Sequence, residues 1–246
     1  MQTVESIWYG FKQLSFEFMG QKALLICPHQ PTKEKKWLFK IEYFGAFPAF
    51  ELAMLERGYY VAHVQNKTRW ATPEDIAVWP KFCDFLSEQW GLHKQCVPVG
   101  MSCGGIEAVY FATTHPRYVS ALYLDAPVMN FLSCPFGLGA SEADFSKEFE
   151  RATGYTRRDM LSYRDHPLDR IPKLVEYRIP VMMVSGDSDR TVPYDENGKL
   201  LVEYYRQNGG TVCEIIKPGG DHHPHGLEDN TPILEFVEKY YGEQPQ

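Results

Sequence analysis

The sequence has no excess of positive charge: 25 Lys and Arg stand against 32 Asp and Glu, a formal net charge of −7. Without a basic field there is little to hold a phosphate backbone or an anionic membrane, so neither nucleic acid nor membrane is an expected partner. No apolar run approaches the roughly 20 residues that a spanning helix needs. The start, Met1-Gln2-Thr3-Val4-Glu5, has neither a basic n-region nor an apolar h-region, and a cytoplasmic location is expected. Six cysteines (Cys27, Cys83, Cys96, Cys103, Cys134, Cys213) include no Cys-x-x-Cys pair. That argues against a disulfide scaffold and a zinc knuckle, and reduced thiols are expected. Internal repeats and low-complexity tracts are also missing, which leaves no linker at which to divide the chain.

What is present is enough for one core: 246 residues, 44 % hydrophobic and 23 % charged, match an ordinary globular composition and predict a single domain over residues 1–246. Phe11 to Phe18 alternates, turns at Met19-Gly20-Gln21 and resumes as the apolar run Lys22 to Cys27, a hairpin entering a core strand. Ala49, Leu52, Ala53 and Leu55 then fit a helix closed by Gly58, and Tyr59 to Val64 reads as a strand. A helix from Pro73 to Trp90, a strand from Cys96 to Val99, a helix from Gly104 to Thr114 and a strand from Val119 to Leu124 continue the alternation. The strand Val181 to Val184, a helix around Glu196 to Gln207, the strand Thr211 to Ile216 and a helix from Pro232 to Tyr240 complete it. Repeated strand–helix units predict an α/β fold with a mainly parallel sheet covered on both faces. The interval of about 130–178, punctuated by Pro135, Gly137, Gly139 and Gly154, breaks the rhythm and suggests a small helical cap insertion.

Chemistry enters at Gly100-Met101-Ser102-Cys103-Gly104, a Gly-x-Ser-x-Gly between an apolar strand and a helix. A serine on such a turn is exposed at the carboxyl edge of the sheet, and Gly100 and Gly104 let strand and helix approach closely. The helix that follows aims its positive end at a developing oxyanion, which makes the backbone N–H of Cys103 a candidate donor. The second donor is expected from the loop after Lys22 to Cys27, within His29 to Trp37, with Trp37 the candidate. Beyond the strand Val181 to Val184, both Asp187 and Asp189 could supply an acid; the Thr191-Val192-Pro193 bend favours Asp189, and Asp187 after Gly186 reads as a turn residue. Beyond Ile216, the loop Gly219-Gly220-Asp221-His222-His223-Pro224-His225 presents three histidines. His222, directly after the flexible turn, is the favoured base, with His223 its rival. The order Ser, Asp, His suits a nucleophile, its orienting acid and its base. A metal site on this loop is disfavoured, because neighbours such as His222 and His223 tend to point apart, and no metal or other cofactor is expected. Trp70, Phe47 and Phe131 are possible pocket aromatics that could equally be packing residues.

These segments, with Trp37, Phe44-Gly45, Pro48, Leu124-Asp125-Ala126-Pro127, Val192-Pro193 and His222-His223-Pro224-His225-Gly226, resemble the α/β-hydrolase superfamily. Within it the chain looks like small hydrolases of the prolyl-oligopeptidase-like and acetyl-xylan-esterase-like groups. The resemblance implies an α/β-hydrolase fold with Ser102 as nucleophile, Asp189 as acid and His222 as base. Similar sequences often carry arginine where this one has Cys103, so a side-chain role there does not transfer. The expected function is a serine hydrolase acting on a small-molecule ester, a short acyl group on a carbohydrate, through an acyl-enzyme. A peptidase or amidase of prolyl-oligopeptidase type is the alternative, and a non-catalytic ligand-binding scaffold the third reading.

Overall fold

A computed structural model of the protein describes residues 2–242. The chain opens with three strands, β1 (Val4–Trp8), β2 (Phe11–Phe18) and β3 (Gln21–Cys27), followed by β4 (Trp37–Lys40), α1 (Ala49–Glu56) and β5 (Tyr60–Val64). Next come α2 (Pro73–Trp90), β6 (Val97–Met101), α3 (Gly104–Thr114) and β7 (Leu122–Asp125). Three short helices, α4 (Ser146–Thr153), α5 (Arg157–Met160) and α6 (Ile171–Glu176), precede β8 (Val181–Gly186), α7 (Gly198–Gln207), β9 (Val212–Lys217) and α8 (Thr231–Tyr240).

The strands form one sheet in the order β1-β2-β3-β5-β4-β6-β7-β8-β9. The first three pair antiparallel, β3 meets β5 antiparallel, and every pairing from β5 to β9 is parallel. The parallel strands β5, β6, β7 and β8 are buried throughout, as expected of a sheet covered on both faces. Side chains of the parallel strands, β4 included, alternate between two cores. Phe39, Leu122, Leu124 and Met183 pack with α2, α3 and α7 on one face, whereas Leu38, Val97, Val99, Tyr123 and Val184 pack with α1 and α8 on the other.

Two strands depart from the expected pattern. β1 went unpredicted because it is an edge strand whose residues are almost all exposed, with Ile7 70 % accessible, so its side chains carry no burial pattern. β4 is only four residues long, all buried, and fully buried strands lack the alternation by which strands are recognised. It inserts between β5 and β6 and is the strand beside the serine turn. Among the described residues, no helix is long and apolar enough to cross a membrane.

Candidate active site

Ser102 sits between β6 and α3 with φ 52°, a left-handed conformation that a non-glycine residue adopts only under strain. The tight turn depends on its neighbours. A Cβ on Gly100 would meet Gly104 O at 2.7 Å and Ala108 Cβ at 2.9 Å, so the strand reaches the helix only because residue 100 has no side chain. The Ser102 N–H donates to Asp125 O (3.0 Å) and its carbonyl accepts from Val128 N (2.9 Å), which ties the turn to the end of β7.

His222 comes from the loop after β9, and its Nε2 lies 3.0 Å from Ser102 Oγ. Its Nδ1 lies 2.7 Å from Asp189 Oδ2. Asp189 follows β8, and its other oxygen accepts the N–H groups of Thr191 (2.8 Å) and Val192 (2.7 Å), so the bend before Pro193 holds that carboxylate inward. Asp187 faces away and accepts from Gly219 N (2.8 Å) and Ser188 Oγ (2.9 Å). Residues 189 and 222 are both nearly buried, at 6 % exposure. The loops that carry them meet across Gly186, where a Cβ would lie 2.1 Å from Gly220 O. Ser102, His222 and Asp189 are therefore brought into one hydrogen-bonded line, though 120 and 33 residues separate the bonded pairs.

Cys103 occupies the N-cap of α3, where the first N–H groups of a helix have no intrahelical partner. Its side chain is buried, and burial, despite Arg69 and the Tyr43 hydroxyl nearby, pushes the thiol up to about 11. That favours the protonated thiol at neutral pH.

Trp37 is not at the site. It begins β4, at the amino end of the sheet; its N–H donates to the Tyr241 hydroxyl (3.0 Å), its indole N–H donates to His93 O (2.8 Å), and it is wholly buried. The error follows from the unpredicted β4, since the chain must traverse that strand before reaching the active edge. Lys40, the last residue of β4, pairs with Val99, three residues before Ser102. Tyr43 (φ 53°), three residues beyond β4, lines the cavity beside Ser102. The apolar Trp37-Leu38-Phe39 run was the sequence signal for this strand.

The cavity over Ser102 has a volume of about 450 Å³ and is walled by Tyr43, Phe47, Arg69, Phe145 and Thr191. Arg69, which no motif marked, is held by Glu148 (2.8 and 2.5 Å) and reaches the Tyr43 hydroxyl (3.2 Å). Glu148 also accepts the Trp70 indole N–H (3.0 Å). The guanidinium therefore arrives with its counter-charge. Phe47 is the one expected aromatic in this wall; Trp70 and Phe131 are buried and line a neighbouring cavity instead.

The histidine loop also differs from expectation. His222, His223 and His225 do not point apart; one ring nitrogen of each lies within 4.8 Å of the others. His225 Nδ1 pairs with buried Asp125 at 2.8 Å, and Asp125 also accepts from Gly226 N (2.6 Å) and the Tyr123 hydroxyl (2.8 Å). Although burial opposes ionisation of Asp125, the hydrogen bond to His225, the Lys217 charge and the Gly226 N–H prevail and hold the carboxyl below its usual range.

A central parallel sheet, helices on both faces and a serine at the strand-to-helix turn define an α/β-hydrolase fold. The sequence profile of the prolyl oligopeptidase family matches residues 57–244, and the chain belongs to that family, a family of serine hydrolases. Solved structures bear out the fold. Acylaminoacyl peptidase from Pyrococcus horikoshii superposes with a TM-score of 0.71 at 14 % identity, over 100 % of this chain and 43 % of that one. A puromycin-hydrolysing peptidase of Mycobacterium tuberculosis gives 0.73 at 15 %, over 97 % and 40 %. A puromycin hydrolase gives 0.68 at 17 %, over 96 % and 38 %. The chain thus spans about two fifths of the length of these structures.

Proposed function

We propose that this chain is a serine peptidase or amidase that cleaves small peptides or aminoacyl amides through an acyl-enzyme. The observation that carries the reading is the line Ser102–His222–Asp189, with bonded distances of 3.0 and 2.7 Å, at the floor of an aromatic-walled cavity. Ser102 Oγ attacks the carbonyl while His222 Nε2 takes its proton, and Asp189 holds the other nitrogen and stabilises the imidazolium. The oxyanion meets the Cys103 N–H and the turn at residues 41–43. His222 then gives its proton to the leaving amine, and water enters by the same route to release the acid.

Family membership and the named activities of the similar structures favour amides over the carbohydrate esters expected from the sequence. The cavity agrees. Its one cation is already paired with Glu148, so it offers an uncharged substrate hydrogen bonds without demanding an anion. About 450 Å³ is within the range of small-ligand sites and suits one or two residues of substrate.

The test is a panel of aminoacyl and acylaminoacyl amides, short peptides, acetylated sugars and simple acyl esters, assayed with wild type and Ser102→Ala. Amides are expected to be turned over with higher kcat/KM than acetylated sugars, and Ser102→Ala is expected to lose at least about 10³-fold in kcat while remaining folded. Preference for acetylated sugars by tenfold or more would return the reading to esterase. Full activity in Ser102→Ala would remove the nucleophile.

A further inference from the structure

The proposed chemistry needs one imidazole, and the loop after β9 gathers three. His222, His223 and His225 have ring centroids 4.8, 4.9 and 5.0 Å apart in pairs, with one nitrogen of each within 4.8 Å of the others. Two of the rings are held as zinc-binding imidazoles are held. The Nδ1 atoms of His222 and His225 each meet a buried carboxylate, Asp189 at 2.7 Å and Asp125 at 2.8 Å. A carboxylate on one nitrogen keeps the proton there and leaves the lone pair on the other, which fixes both tautomer and ring orientation for a cation. Asp125 is itself anchored by Tyr123 and Gly226, so His225 is a pre-oriented ring that the hydrolytic line does not use.

The third ring supplies adjustment. His223 is exposed and stacks on Phe47 at 5.3 Å between centroids. Tetrahedral zinc with Zn–N bonds of about 2.0–2.1 Å sets its ligand nitrogens about 3.4 Å apart, so the cluster must contract by about 1.4 Å at its widest. His223, solvent-facing, is the ring of the three that can shift without disturbing the core. The surrounding cavity is open beside Ser102, which leaves room for water at a fourth position.

We propose that His222, His223 and His225 form an inhibitory site for a borderline-soft divalent cation, zinc foremost. Imidazoles select zinc, copper and nickel over the oxygen-seeking magnesium and calcium. Coordination of the His222 lone pair takes the base from Ser102 and replaces their 3.0 Å hydrogen bond. Lone pairs are donated and no proton leaves either carboxylate-bound nitrogen. The inhibitory consequence rests on His222 being the base; the binding itself does not.

The experiment uses the full chain, stripped with a chelator and titrated with zinc chloride, reading bound zinc by equilibrium dialysis and hydrolysis in parallel. One zinc per chain is expected, with activity falling as occupancy rises, recovering on chelation, and unaffected by magnesium or calcium. His223→Ala and His225→Gln are each expected to weaken zinc binding tenfold or more, and to raise the zinc concentration for half-inhibition in proportion. Ser102→Ala is expected to bind zinc as wild type does. No bound zinc at about 100 μM, or unchanged affinity in both histidine variants, overturns the site. Stoichiometric binding with full activity overturns its inhibitory role. If no substrate is hydrolysed at all, the proposed function fails alone and dialysis still decides the cation site.

Discussion

At the scale of single residues, two aspartates two positions apart have opposite fates. Asp189 accepts two backbone N–H groups through one oxygen and His222 through the other, whereas Asp187 spends its carboxylate on the surface turn at Gly219. Asp189→Asn is expected to lower kcat by roughly 10²- to 10⁴-fold, because an amide neither stabilises the imidazolium nor fixes the tautomer. Asp187→Asn is expected to stay within severalfold of wild type. Steady-state kinetics of the pair on one substrate decide between them, and the reverse ranking would transfer the role to Asp187.

Between elements, the notable contact is the ion pair of Lys40 on β4 with Glu51 on α1, Nζ to Oε1 2.6 Å, with both side chains at most 2 % exposed. The same ammonium lies 3.0 Å from Met101 Sδ, one residue before Ser102, so the pair braces the underside of the turn. Removing one charge leaves the other buried and uncompensated. Glu51→Ala is expected to cost about 3–5 kcal/mol, read as a drop in the denaturant midpoint. The double change Lys40→Met with Glu51→Leu, which removes both charges and keeps volume, should recover most of that loss. A double variant no more stable than Glu51→Ala would show that packing, not charge, is what the pair contributes.

Across the whole molecule, a partly buried polar network joins four elements. Asn66 after β5 donates to Ile41 O (2.8 Å), to Glu42 (3.0 Å) and to Glu107 on α3 (2.7 Å), and accepts the Trp79 indole N–H from α2 (2.8 Å). Burial, then the charges of Glu42 and Asp75, push the Glu107 carboxyl well above its usual range. Its folded state therefore holds a proton that the unfolded chain releases. The stability it contributes is present below the unfolded carboxyl range and is lost as pH rises through the raised value. Glu107→Gln keeps the shape and stays neutral at every pH. It is expected to raise Tm over wild type at about pH 8 and by less at about pH 5, by at least about 2 °C at the higher pH, the shift roughly 1 kcal/mol produces in a chain this long. Thermal melts at the two pH values check this, and a Tm for Glu107→Gln below wild type at the higher pH would mean the carboxylate is needed charged.

The sequence alone determined what local chemistry controls. Glycines around Ser102 announced the turn, strand–helix alternation announced the parallel sheet, and the family followed from the motifs together. The positions of Asp189 and His222 were readable because each lies just past a strand end, where parallel topology brings loops to one edge. What depends on distant partners was not readable. β4 is buried on both faces and so has no period, and without it the second oxyanion donor was placed at Trp37, at the wrong end of the sheet. The Arg69–Glu148 pair spans 79 residues and the Asp125–His225 pair 100, distances over which sequence spacing carries no geometric information. The convergence of three histidines contradicts the rule that adjacent side chains diverge, because a loop pinned at Asp189 and Asp125 follows its partners rather than a regular backbone. Only the tertiary structure could decide that, since the forces that set the three rings act across the fold and not along the chain.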